Sequence, residues 1–173
     1  MSYQANGQVK DAVELLERIV AIKAKVLAED HPSQLASQHE LARAYLANGQ
    51  VKDAVELLER IVTIQAEVLA EDHSLRLASQ HELAGVYQAN GQVKDAVELL
   101  EHVVTIQAEV LAEDHPLRLA SQHELAGAYQ ANRQVKDAVE LLEHVVAIKA
   151  ESSYSSVSSR YKRKCSQKTI PVD

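Results

Sequence analysis

The sequence predicts an all-α protein, a solenoid of stacked helical hairpins, and three observations carry that expectation. One phrase recurs almost unchanged: YQANGQVKDAVELLERIV from Tyr3, YLANGQVKDAVELLERIV from Tyr45, YQANGQVKDAVELLEHVV from Tyr87 and YQANRQVKDAVELLEHVV from Tyr129, a period of 42 residues. The units that begin at Tyr45 and Tyr87 differ at only five positions. A fixed period of this length marks a supersecondary unit that buries its apolar face on its neighbours. Within each unit the apolar residues return every three or four positions, the mark of helices. With 173 residues, 46% hydrophobic and 25% charged, the chain is long enough for one folded domain.

The elements follow in order. In QVKDAVELLERIVTIQAEVLA, Val51, Ala54, Val55, Leu58, Ile61, Val62 and Leu69 form one apolar face, which Leu57, Ile64 and Val68 widen. A helix this apolar needs cover on two sides. The segment LRLASQHELAGVYQAN that precedes the next such helix carries Leu77, Leu83, Ala84 and Tyr87 on one side and ends in Asn90-Gly91, a helix stop, because glycine takes the left-handed C′ conformation without a Cβ penalty. Asp72 and Asp114 are the expected N-caps, the latter followed by His115 and by Pro116 in the first turn. Each unit is then two antiparallel helices, A and B, joined by about three residues. The chain should hold a lone helix B over residues 9–27 and three A/B hairpins ending near Ala150, as only Met1 and Ser2 precede Tyr3. Neither end carries a polar capping helix, so a piece of a longer array is expected.

At residue 152 the repeat gives way to SSYSSVSSRYKRKC, and residues 152–173 read as a Ser-rich basic tail, expected to be disordered. Charge divides at the same point. Residues 1–151 carry 13 Lys/Arg against 24 Asp/Glu, whereas the tail carries five basic residues and one acidic. An acidic body repels phosphate backbones, so the repeats are not expected to bind nucleic acid. The basic run Arg160–Lys164 could serve nuclear localisation or an acidic surface, or could follow from an altered reading frame or splice end. No apolar run approaches the roughly 20 residues that span a bilayer, and MSYQANGQVK has no apolar leader core. The single cysteine, Cys165, cannot form an internal disulfide, which with the missing leader suggests the cytoplasm. Its basic neighbours would lower a thiol pKa, but no histidine lies near it in sequence to complete a nucleophile.

His123-Glu124 on a helix is how a zinc-protease motif begins. That chemistry needs His-Glu-x-x-His, so that imidazoles one turn apart share a metal. The fourth position after His39, His81 and His123 is Arg43, Gly85 and Gly127, so the motif fails in every unit. The second histidine set, His31, His73 and His115, precedes the first by eight residues, roughly 12 Å along a helix and too far to chelate one ion; these residues are expected to cover helix starts. Glu14/Arg18 and Glu56/Arg60 are i,i+4 pairs, surface support worth about 0.2–0.5 kcal/mol each. No phosphate-binding loop is present, since Asn-Gly-Gln follows no strand and precedes no Lys-Ser/Thr. No catalytic residue, metal or cofactor is expected.

Leu41-Ala42-x2-Tyr45 followed by Ala54-x3-Leu58 resembles the tetratricopeptide (TPR) signature, with alanine where the family often has glycine and leucine where it often has phenylalanine. The 42-residue unit and the VLAEDHP connector are similar to the long TPR units of kinesin light chains and of fungal NOD-like (NB-ARC) proteins, over residues 3–151. The resemblance implies a right-handed superhelix of hairpins whose A helices line a concave, peptide-binding surface. On that surface His39, His81 and His123 lie one stripe with Arg43, Gly85 and Gly127 four residues on and Leu46, Gln88 and Gln130 seven residues on. Three imidazoles and two glutamines would offer hydrogen bonds to an extended segment, and the glycines would let it approach. The same stripe could instead be a solvated face. Chaperone-binding members hold a C-terminal carboxylate with Lys and Asn there; Ala36, His39 and Arg43 do not match. The expected function is therefore a non-enzymatic protein-interaction module, a fragment of a larger adaptor or NOD-like receptor with a protein or peptide partner and no membrane contact. The alternative is an array that self-associates through its uncapped ends.

Overall fold

The computed structural model describes residues 2–166, with side chains described for residues 7–152. Seven helices and no strand are present among them. The chain divides into two units, Met1–Val110 and Leu111–Asp173. The first holds α1 (Ser2–Lys23), α2 (Pro32–Ala47), α3 (Val51–Val68), α4 (Ser74–Ala89) and α5 (Val93–Val110). The second holds α6 (Pro116–Ala131) and α7 (Val135–Ser166). Even-numbered helices are of type A and odd-numbered ones of type B, an all-α solenoid of helical hairpins.

In the first unit each helix packs on the next in sequence. Its main core joins Leu35 and Ala42 of α2, Val55, Leu58 and Ile61 of α3, and Leu83 and Val86 of α4. Helix α3 is thus covered from both sides, as its wide apolar face requires. Ala42 and Ala54 are fully buried where larger side chains would hold the helices apart. Leu77 of α4 packs with Val103 and Ile106 of α5. In the second unit α6 packs on α7 through Leu119, Val145 and Ile148.

The hairpin turns repeat one hydrogen-bonded design. Gln50 N donates to Tyr45 O at 2.8 Å and Gly49 N to Leu46 O at 3.1 Å, the paired bonds of a Schellman stop. Asn48 Nδ2 then donates to Gln50 Oε1 at 2.6 Å, and Gln50 Nε2 to Asp53 Oδ2 at 2.8 Å, tying the turn to the first turn of α3. Gly49 and Gly91 have φ of +78° and +80°, and Arg133 takes the same place with φ +66°.

Three boundaries differ from the sequence reading. The N-caps are His31, His73 and His115 rather than the preceding aspartates: each Nδ1 accepts a backbone N–H two residues on, at 3.1, 3.2 and 3.3 Å. A neutral imidazole nitrogen satisfies the orphan donor as a carboxylate would. Helix α1 begins at Ser2, not near Val9, and runs through Asn6-Gly7. Helix α7 extends to Ser166, past Ala150 and through most of the serine-rich segment; no Gly or Pro occurs between Val135 and Ser166 to end it. Residues 167–173 lie outside the described residues, as do the side chains of Cys165 and of residues 160–164.

Candidate functional site

Helix α2 presents His39, Arg43 and Leu46 on one face, as the three-and-four spacing requires. Two of them are engaged. His39 Nδ1 lies 3.2 Å from Glu82 Oε2 and its Nε2 lies 2.9 Å from Ser79 Oγ, both on α4. Arg43 Nε donates to Glu82 Oε1 at 2.8 Å and its Nη1 to Glu40 Oε1 at 3.1 Å. Two consecutive A helices are therefore cross-linked through one carboxylate.

The chemistry of this cluster follows from its donors and acceptors. A carboxylate only accepts, so His39 Nδ1 carries a hydrogen toward Glu82. Ser79 Oγ has two acceptors in reach, His39 Nε2 and the Leu75 carbonyl oxygen at 2.9 Å. With a singly protonated ring the serine donates to Nε2. With a doubly protonated ring Nε2 donates and the hydroxyl turns to Leu75. Half-burial pushes the Glu82 carboxyl up, but the hydrogen bonds from His39 and Arg43 together outweigh it and hold Glu82 below its ordinary value. Arg43 is raised in turn, chiefly by its hydrogen bond to Glu82.

Beside this cluster lies a pocket of about 330 Å³ between α2 and α4, over the C-terminal end of α3. Leu35, Val68 and Leu75 wall it, Gln65 reaches it from α3, and Asp30, Glu40 and Glu82 are its acids. On α4, His81 and Gln88 are half-buried, and a Cβ added to Gly85 would meet nothing within 4 Å. In the second unit His123, Gly127 and Gln130 are all exposed on α6. Leu46 is exposed and belongs to none of these contacts.

Sequence reasoning named His39 and Arg43 but missed Ser79, Glu82 and Gln65. The only signal for Glu82 was the recurrence of Glu after each stripe histidine, which the failed zinc motif absorbed. Gln65 is set among the apolar residues of α3, yet it is 3% exposed and its Oε1 has no hydrogen-bond partner. Arg60, expected on Glu56, instead reaches Glu29 at 2.7 Å, and His102 and His144 approach Glu71 and Glu113 at 3.4 and 3.5 Å in the same register. These pairs tie α3, α5 and α7 each to the connector before the preceding helix A.

Among the described residues no three His, Cys, Asp or Glu side chains converge as a metal site, and no helix is long and apolar enough to cross a membrane. A comparison with curated proteins found no match. The family model described as Tetratricopeptide repeat matches residues 1–67 and 75–151. Among solved structures, the nearly identical TPR-like repeats of a kinesin light chain-like protein from Podosopora anserina are 69% identical, over 87% of this chain and 71% of that one, with a TM-score of 0.78. A substituted form of the same protein is 70% identical, over 86% of this chain and 70% of that one, with a TM-score of 0.80. BtubC (BKLC) from P. vanneervenii shares the fold at 17% identity, over 85% of this chain and 59% of that one, with a TM-score of 0.76. On the repeat, the hairpins and these matches together, the chain belongs to the tetratricopeptide repeat family, in its kinesin light chain-like form.

Proposed function

We propose that this chain is a non-enzymatic interaction module that receives an extended peptide or protein segment along the A-helix face. The tetratricopeptide fold is a protein–protein interaction scaffold, and the local chemistry supports that use here. The single observation that carries the reading is the pocket beside the His39–Glu82–Arg43 cluster, continued on α4 by the open backbone at Gly85. Backbone left bare of side chains lets an extended strand approach and exchange hydrogen bonds with neighbouring polar groups. A place within a larger adaptor or NOD-like receptor in the cytoplasm fits the same role.

The test is selection of a random peptide display library on the immobilised chain, followed by His39→Ala, His81→Ala and His123→Ala combined. Binders should emerge, and the triple variant should weaken them about tenfold with its far-UV circular dichroism unchanged. Failure to select any binder would end the interaction reading, and binding untouched by the triple variant would move the interaction off this face.

A second reading, self-association through the ends, is supported by unequal exposure of equivalent residues. Val55 and Val97 are 6% and 5% exposed within the first unit, whereas Val139, in the same register of α7, is 45% exposed. Leu15 and Ile22 of α1 are likewise exposed, while Leu57 and Ile64 of α3 are partly covered.

A further inference from the structure

We infer that the pocket between α2 and α4 holds the side chain of a lysine supplied by the partner segment; the inference rests on the interaction reading above and names the chemistry that the site selects.

Four observations converge on it. The pocket is walled by aliphatic side chains, Leu35, Val68 and Leu75, which suit the methylene stem of a long residue. Its charged groups are three acids, Asp30, Glu40 and Glu82, against one base, Arg43, and that base is already committed to Glu82 and Glu40. Gln65 lies at the pocket, 3% exposed, with an amide oxygen that lacks a donor. A buried acceptor without a partner is costly, so a donor brought by a ligand would be rewarded there.

The fourth observation comes from the repeat itself. The residue 42 positions before Gln65 is Lys23, whose Nζ donates to Ser33 O, Ser33 Oγ and Ser37 Oγ at 3.0, 2.9 and 2.6 Å. The junction of α1 with α2 therefore holds an ammonium from the chain itself. At the junction of α3 with α4 the register partner of Ser37 is Ser79, but the lysine has become the neutral glutamine and Ser33 has become Leu75. The internal cation is gone, a cavity stands beside its place, and Glu82 supplies negative charge. Glu82 Oε1 accepts one hydrogen bond, from Arg43 Nε at 2.8 Å, and keeps its second lone pair for another donor, whereas Oε2 already accepts from both His39 and Arg43. The net acidity of residues 1–151 would draw a basic segment toward it.

Peptides selected from the display library on the full chain provide the probes. Each of the three tightest is resynthesised with every lysine in turn changed to norleucine, which keeps the stem and removes the charge, and affinity is read by fluorescence anisotropy. One lysine in each peptide should account for a loss of at least tenfold. That loss should disappear in Glu82→Gln. Gln65→Lys restores the residue type found at Lys23 and Lys149 in this register, so it should fold with unchanged circular dichroism and block these peptides by placing an internal ammonium in the pocket. Peptides indifferent to norleucine, a lysine effect that survives Glu82→Gln, or full binding to Gln65→Lys would overturn the lysine pocket and leave the interaction reading standing. A library that yields no binder would remove both.

Discussion

Tyr87 of α4 donates its phenolic hydrogen to Glu59 Oε1 of α3 at 2.8 Å, and one repeat earlier Tyr45 of α2 does the same to Glu17 of α1 at 2.9 Å. Each bond ties a helix A to the B helix before it. Burial first, and then the carboxylate hydrogen bond, push Tyr45 up to about 12 and raise Tyr87 as well. A folded-state pKa above the unfolded value favours the protonated form, so this stabilisation is complete below the ordinary tyrosine range near pH 10 and is lost as pH rises through the folded value. Thermal stability should therefore fall between about pH 10 and 12. Tyr45→Phe with Tyr87→Phe should cost about 1 kcal/mol each at neutral pH and flatten that alkaline decline. A decline of the same steepness in the double variant would place its origin elsewhere.

Arg133 occupies the left-handed position that Gly49 and Gly91 fill in the other turns. Its backbone bonds are retained, with Arg133 N donating to Gln130 O at 3.1 Å and Gln134 N to Tyr129 O at 2.8 Å. The turn is thus formed against a cost of roughly 1 kcal/mol for a side chain at positive φ. Arg133→Gly should raise stability by that amount, about 2–4 °C in midpoint for a chain of this size. Lower stability would mean that the arginine side chain contributes more than the backbone strain removes.

Glu82 gives the opposite pH leg. Its folded pKa is lowered, so the stabilisation it gains from His39 and Arg43 is present above the ordinary carboxylate range and is lost as pH falls through the folded value. Glu82→Gln should destabilise the protein at pH 7 and change little at pH 3, narrowing the gap between variant and unmodified chain on acidification. Chemical denaturation at several pH values measures it, and a constant gap would contradict the assigned coupling.

The exposed valines of α7 and the leucine and isoleucine of α1 predict association. Burial of such a side chain contributes roughly 1.5–3 kcal/mol, and contiguous apolar faces of this kind drive self-contact. The chain alone should sediment as dimers or short stacks at micromolar concentration. Val139→Asp with Val146→Asp, both at exposed positions, should shift it to monomer without loss of helicity. A monomer across a wide concentration range in the unmodified chain would end the self-association reading.

Seven helices, their A/B alternation and the three-residue turns were legible from residues alone, because the period, the apolar spacing and Asn-Gly stops act through local backbone geometry. The left-handed turn at position 133 was legible for the same reason: the surrounding words demand that conformation even when glycine is absent. His31, His73 and His115 cover the helix starts as their place in the sequence suggested, but the cap itself was assigned one residue early, to the aspartates, since Asp and His both offer an acceptor and only the backbone angles decide which one does. Identical residues met different fates where contacts are long-range. Gln65 is buried although its sequence neighbours gave no partner for it, Glu82 binds residues about 40 positions away on α2, and Val139 is open where Val55 is closed. Local periodicity determines which face of a helix is apolar; only the presence of a neighbouring helix decides whether that face, and the polar groups set within it, are removed from water.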